Sequence, residues 1–266
     1  MQTYRTVYED TLLDVARRFD LGFVEMRAAN PDVDLWLPGA GTEVILSTAH
    51  LLPDAPRDGV VINLAEMRLY FFAEPNGVPQ THPVGIGRAG RLTPLGRTSI
   101  ERKAADPAWY PPASIRAEKP YLPAVVAPGP DNPLGEFALY LAWPAYLIHG
   151  TNNPWGIGRR VSSGCIRMYP EDIERLYGAI PIGVPVTVVD QPVKFGSIDG
   201  ALYIEVHPSQ SQADQLEIEG EFDPEIPSGI LQLAEEKAAG LDLTVNWATV
   251  LRAAQERRGY PVRISQ

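Results

Sequence analysis

Residues 147–168 read Leu147-Ile148-His149-Gly150-Thr151-Asn152-Asn153-Pro154-Trp155-Gly156-Ile157-Gly158-Arg159-Arg160-Val161-Ser162-Ser163-Gly164-Cys165-Ile166-Arg167-Met168. A histidine closes one apolar run and a cysteine opens another. Between them Asn153-Pro154, Gly156 and Gly158 interrupt any regular element, so the segment reads as strand, loop, strand. Neighbouring strands joined this way set His149 beside Cys165. An imidazole within hydrogen-bond reach is what a thiol nucleophile needs for its thiolate to be populated near neutral pH. The Ser162-Ser163-Gly164 turn aims successive backbone N–H groups, so the amides of Ser163, Gly164 and Cys165 are candidates for holding a developing oxyanion. Arg167 shares the face of Cys165 in a regular strand and offers a guanidinium to a substrate carboxylate. The same residue types also have plain structural uses: a lone cysteine packs as a small hydrophobe, and a strand arginine serves in an ion pair.

Working outward, the pattern is β-rich from Val60 to Val189. Val60 to Leu64 and Arg68 to Phe72 flank Ala65-Glu66-Met67 as a hairpin, and Asn76-Gly77 marks a turn before a strand at Thr81 to Ile86. Further strands are expected at Thr98 to Glu101, Leu139 to Leu141, Tyr146 to His149, Cys165 to Met168 and Pro185 to Val189. One helix is expected here, Pro170 to Tyr177, with proline in its first turn and Glu171-Asp172 near its positive end. Gly85-Ile86-Gly87-Arg88-Ala89-Gly90 matches the dinucleotide pattern, but Leu92-Thr93-Pro94-Leu95-Gly96 cannot open the helix which that reading requires. These glycines read as strand-end turns.

The first 48 residues predict a compact βααβ unit. Tyr4 to Val7 is a strand, and Glu9-Asp10-Thr11 caps a helix carrying Leu12, Leu13, Val15, Ala16 and Phe19. Gly22 to Ala29 is a second helix ended by Asn30-Pro31, and Glu43 to Leu46 is the closing strand. Leu51 to Asp58 reads as a linker. After Val189 come a hairpin over Val193 to Phe195 and Ala201 to Val206, a polar loop at Ser209 to Glu221, and helices near Gly229 to Ala239 and Val245 to Arg258. A short strand over Tyr260 to Ile264 ends the pattern.

The chain has 266 residues, a formal net charge of −10 and a single cysteine. One cysteine excludes an internal disulfide and any multi-thiolate metal site. The acidic balance argues against nucleic-acid binding, which needs a basic face. No apolar run is long enough to span a membrane. His50, His82 and His207 lack metal-ligand spacing, so neither a metal nor a cofactor is expected.

His149-Gly150 with Ser162-Ser163-Gly164-Cys165-Ile166-Arg167-Met168 resembles the signature of the L,D-transpeptidases, the YkuD-type catalytic domain. Thr93-Pro94-Leu95-Gly96 and Asp106-Pro107-Ala108-Trp109-Tyr110-Pro111-Pro112 have counterparts in that family, and the tail from Pro192 to Pro208 is similar to an extension in its Gram-negative branch. Ser163 stands where many members have a second histidine. Residues 1–48, through Tyr4, Asp10-Thr11-Leu12, Ala16, Asn30-Pro31 and Pro38-Gly39, resemble the lysin motif, a glycan-binding module.

The resemblance implies a mainly β protein: a sandwich-like or barrel-like catalytic domain at 58–190, the βααβ module at 1–48 and an α/β extension at 191–266. It implies Cys165 as nucleophile and His149 as base, with the Gly150 carbonyl in place of a carboxylate. Arg167, Ser162, Asn153, Trp155, Tyr110 and Trp109 are then the expected substrate contacts. It further implies peptidoglycan stem peptides and glycan as partners. The acyl acceptor is another stem or a lysine-bearing outer-membrane protein, and the setting is periplasmic, with a leader that this sequence does not include. Hydrolysis of the same thioester, and a non-catalytic wall-binding role, remain as alternatives.

Overall fold

The computed structural model describes residues 2–265. They form two compact units, one of residues 2–56, 63–68 and 189–265, the other of residues 57–62 and 69–188.

In the first unit, β1 (Gln2–Arg5), α1 (Leu12–Arg18), α2 (Phe23–Ala29) and β2 (Glu43–Leu46) follow in the expected order, and β1 pairs antiparallel with β2. Thr11 caps α1 in a reciprocal box with Asp14. Leu12, Val15, Ala16, Leu21, Met26, Val44 and Leu46 close a small core. Asn30 ends α2 by donating to Met26 O (3.0 Å) and Ile45 O (2.9 Å) and accepting from Ile45 N–H (2.7 Å), which ties the helix to β2.

The second unit is built on an eight-stranded sheet whose strands are β3 (Gly59–Asn63), β4 (Arg68–Phe72), β5 (Gln80–Pro83), β7 (Gly96–Ala105), β8 (Phe137–Leu141), β9 (Leu147–His149), β11 (Ile166–Arg167) and β12 (Pro185–Val189). Their order is β11-β9-β8-β7-β12-β3-β4-β5, and β6 (Ile86–Gly87) pairs in parallel with β10 (Arg160–Ser162) beside it. The mainly β expectation holds. Two helices, α3 (Ala113–Glu118) and α4 (Pro170–Ala179), accompany the sheet; α3, six residues long, was not expected from the sequence. It lies in a long excursion between β7 and β8, closed at its neck by Asp106 N–H to Glu136 O at 2.7 Å. Asn132, fully buried, knots this excursion: its amide donates to Pro107 O (2.7 Å) and Ala127 O (3.2 Å) and its carbonyl accepts from Leu134 N–H (2.9 Å).

The C-terminal part of the first unit is a three-stranded antiparallel sheet of β13 (Val193–Ile198), β14 (Ala201–Val206) and β15 (Val262–Arg263), with α5 (Gln210–Ile218), α6 (Ile230–Ala239) and α7 (Trp247–Glu256). Its core holds Leu202, Ile204, Val206, Ile230, Ala234, Val250, Ala254 and Ile264. Two expectations fail here. Residues 209–221 are not a loop: Ser209 and Gln212 form a capping box that starts α5, and Gln212, Ala213 and Leu216 give it a buried face. Leu51, assigned to a linker, is buried, with its N–H on Glu205 (2.5 Å) and its carbonyl on Lys194 (2.7 Å).

Those contacts belong to a buried ionic network. Lys194 Nζ lies 2.6 Å from Glu66 and 2.7 Å from Glu205, Glu205 lies 2.6 Å from His207, and Arg68 lies 2.7 Å from Glu25. Burial alone would lower the Lys194 pKa, but Glu66 and Glu205 more than offset it and the net shift is upward.

Candidate active site

The parallel pairing of β9 with β11 places His149 opposite Arg167 and Ile148 opposite Ile166. The strand expected to begin at Cys165 is shorter than that: Cys165 sits in the turn just before β11. Gly164 makes that turn possible. Its φ is +107°, and a Cβ there would lie 2.9 Å from Tyr146. On the other side of β11, Gly85 and Arg167 exchange backbone hydrogen bonds of 2.8 Å each, and a Cβ on Gly85 would approach Gly156 O to 2.5 Å.

His149, Cys165, Arg167, Ser162 and Ser163 line one cleft of about 880 Å³. The excursion after β7 contributes Trp109, Tyr110, Ile115 and Leu134, and the β8–β9 turn contributes Pro144, Ala145 and Tyr146. Asn153 and Trp155, expected in the cleft, are not among its lining residues; Pro154–Gly156 form a 3₁₀ turn that leaves the Trp155 ring half exposed.

The His149 ring is buried, with Nδ1 2.6 Å from Gly150 O. A carbonyl only accepts, so the neutral ring carries its proton on Nδ1 and keeps the Nε2 lone pair available. Burial, and then the Arg167 charge, lower the His149 pKa to about 3, against the opposing pull of the Gly150 and Leu134 carbonyls. Burial also raises the pKa of the Cys165 thiol, outweighing the Leu147 backbone and Arg167. Its Sγ lies 3.6 Å from Ala145 O, as a thiol donating its proton would. Burial thus works against the charged form of both partners, whereas an imidazole beside the thiol was expected to favour the thiolate. Ala145 presents that carbonyl from a left-handed conformation, φ +69°, sparsely populated for a residue with a side chain.

The oxyanion donors also need revision. Gly164 N–H already donates to Ser162 Oγ at 3.1 Å, and Ser162 Oγ donates to Cys165 O at 2.6 Å. Gly164 is thus occupied within the turn, which leaves the amides of Ser163 and Cys165 as the donor candidates. Ser162 is buried and braces the turn from inside. Arg167 makes no ion pair among the described residues, and its Nε has no hydrogen-bond partner. A guanidinium left in this state beside a cleft suits a bound carboxylate.

Thr93 was not identified as a site residue from the sequence. It is buried, accepts from Gly87 N–H at 3.1 Å and donates to Gly164 O at 2.9 Å, fixing the turn that carries Cys165. The signal was present in Thr93-Pro94-Leu95-Gly96, but its partner lies 71 positions away in the chain. Thr93→Val leaves both backbone groups buried without their partner. It is expected to slow Cys165 acylation about 10- to 100-fold while changing KM little, and Thr93→Ser should restore most of the rate. Single-turnover kinetics on the three proteins checks this; equal rates would remove Thr93 from the site's support.

The low pKa of His149 has a consequence for stability. Between about 3 and the ordinary histidine value near 6.5 the unfolded chain binds a proton that the folded chain does not. This contribution is fully present above about pH 6.5 and is lost as pH falls toward about 3; it amounts to a few kcal/mol. Urea unfolding at pH 7, 5 and 4 should show His149→Gln losing less stability with acid than the unmodified chain. Parallel losses would contradict the assignment.

Two clusters bear on metals and cofactors differently. Within the first unit, ligand atoms of His50, Glu66 and Glu205 lie within 4.8 Å of one another. Lys194 already neutralises both carboxylates there, at 2.6 and 2.7 Å, and occupies the place a cation would take. The cleft itself offers one imidazole, one thiol and the Glu101 carboxylate.

Residues 57–188 match the model of the L,D-transpeptidase catalytic domain, YkuD. The chain is 40% identical over 256 residues to "Probable L,D-transpeptidase ErfK/SrfK" of Salmonella typhimurium strain LT2, covering 94% of this chain and 81% of that protein. It is 41% identical over 257 residues to "Probable L,D-transpeptidase YbiS" of Escherichia coli K12, covering 94% and 82%. To "Putative L,D-transpeptidase YkuD" of Bacillus subtilis strain 168 it is 29% identical over 190 residues, covering 71% and 99%. The chain belongs to the L,D-transpeptidase family.

Proposed function

We infer that the cleft carries out acyl transfer through a Cys165 thioester on peptidoglycan stem peptides. Cys165 Sγ attacks the carbonyl between the third residue of a stem, a diamino acid, and its terminal D-alanine. His149 Nε2 takes the thiol proton and gives it to the departing D-alanine amine. Because burial disfavours the charged form of both groups, the proton passes from sulfur to imidazole as the carbon–sulfur bond forms. The oxyanion rests on the amides of Ser163 and Cys165, and Arg167 holds the D-alanine carboxylate. An amine acceptor then attacks the thioester, His149 takes the amine proton and passes it to the Cys165 sulfur as the carbon–sulfur bond breaks. That acceptor is the side-chain amine of another stem, giving a 3→3 cross-link, or a lysine of a protein to be anchored.

The observation that supports this most is a buried His149 with its Nδ1 on Gly150 O at 2.6 Å, in the same cleft as Cys165 and an unpaired Arg167. The N-terminal module, with exposed Tyr8 and Trp36 rings suited to stacking on sugar faces, would hold the glycan. Such a substrate places the protein's work outside the cytoplasmic membrane, in a periplasm. Among the described residues no helix is long and apolar enough to cross a membrane. The test is incubation with disaccharide-tetrapeptide, with and without an amine acceptor, followed by product mass. Cross-linked product with loss of D-alanine supports transfer; tripeptide alone in both arms would assign hydrolysis instead, and no D-alanine release would reject the reading.

A further inference from the structure

Alternation along β7 predicts opposite faces for Glu101 and Arg102, yet both are exposed and both line the cleft. The cause is an irregular register. Ile100 pairs with Leu141 and Arg102 with the adjacent Tyr140, so Glu101 is one residue too many on β7. A bulge of this kind bends the strand and re-aims its side chains, and bulges concentrate beside active sites. The Arg102 guanidinium carbon lies 3.4 Å from the centroid of the Tyr140 ring. Stacking holds the guanidinium plane and leaves its N–H edge available. Neither Glu101 nor Arg102 has an ion-pair partner among the described residues. The bulge therefore presents two unpaired, opposite charges side by side.

Register sets their distance from the chemistry. Tyr140 pairs with Leu147, two residues before His149. With strands about 4.8 Å apart and a rise of about 3.4 Å per residue, the Arg102 backbone lies about 12 Å from that of His149. The Arg102 side chain reaches over the Tyr140 ring on the intervening strand β8. In a diamino acid three methylenes lead from the carbon next to the carbonyl to a distal carbon bearing an amine and a carboxylate, an extended span of about 6 Å that lies within such a cleft.

We propose that Glu101 and Arg102 form the subsite for that distal end of the donor's third residue. Arg102 takes the distal carboxylate through two N–H groups and Glu101 takes the distal ammonium. The assignment rests on the stem-peptide reading above and adds its selectivity: stems with a blocked or missing distal carboxylate are poorer donors. Neither residue touches the reacting atoms, so the effect appears as a dependence on the substrate's distal group.

The experiment measures kcat/KM for D-alanine release by the full chain from synthetic tetrapeptide stems. One stem has a free distal carboxylate, one a distal carboxamide, and one an acetylated distal amine. The unmodified chain should prefer the free stem over the carboxamide about tenfold, and Arg102→Gln should bring that ratio near one. Glu101→Gln should keep the carboxylate preference and lose the preference for the free over the acetylated amine. A ratio near one in the unmodified chain, or a ratio unchanged by Arg102→Gln, overturns the subsite. If no stem releases D-alanine while iodoacetamide still modifies Cys165, the donor reading itself fails, a separate result from a lost ratio.

Discussion

Replacing Cys165 by alanine is expected to lower the turnover of tetrapeptide stems by at least about 10⁴-fold, with the protein still folded. The reasoning is specific to this cleft. The chain has one cysteine, so no second thiol can substitute for it. His149, whose pKa burial lowers to about 3, is proposed as the proton acceptor and not as a second nucleophile. Without the sulfur, water must attack a carbonyl that the oxyanion donors only polarise. The side chain is partly exposed at a turn, so its truncation removes little packing. Comparing D-alanine release by the two proteins, with melting curves as a control for folding, measures the effect. Retention of a tenth or more of the rate would mean that the thioester mechanism is wrong.

The second large effect concerns stability. Lys194→Met is expected to destabilise the chain by about 3–5 kcal/mol, a sizeable part of the roughly 5–15 kcal/mol that holds an ordinary protein folded. Lys194 is buried between Glu66 and Glu205, and removing its ammonium leaves two carboxylates facing each other away from water. The Leu51 carbonyl loses its donor as well. The exposed pair Arg5–Glu43, 3.2 Å apart with side chains 73% and 55% exposed, provides the contrast. There Glu43→Gln should change stability by well under 1 kcal/mol, because solvent screens the pair. Denaturant unfolding of both variants checks the difference; a Lys194→Met effect as small as that of Glu43→Gln would contradict the view that this network is a structural element.

Much of the fold was legible because its signals are local. The βααβ order of the first 48 residues follows from one cap, two apolar faces and the Asn30-Pro31 stop. The hairpin around residues 65–67 follows from two apolar runs that prove to be fully buried strands. His149 and Cys165 were legible for the same reason: a strand, a loop of breakers and a second strand lie within 22 positions of one another. What stayed hidden depends on partners far away in the chain. The hydroxyl of Thr93 has meaning only once Gly164 O lies against it, and Asn132 only once Pro107 and Ala127 turn their carbonyls toward it. The occupation of the Gly164 amide required the Ser162 side chain to fold back on the turn. The bulge at Glu101 is a property of the pairing of β7 with β8 and leaves no mark in β7 alone. Helix α5 is a different case, since Ser209 and Gln212 gave a local signal that the surrounding acidic residues obscured.

A stem peptide is expected to form a covalent thioester on Cys165. Intact-protein mass spectrometry after brief incubation with tetrapeptide stem, followed by peptide mapping, tests it most directly. The expected result is a mass increase equal to the stem less one D-alanine, located on the peptide containing Cys165, with free D-alanine in solution. D-alanine released without any adduct on Cys165 at the shortest times, or an acyl group mapped to another residue, would contradict it.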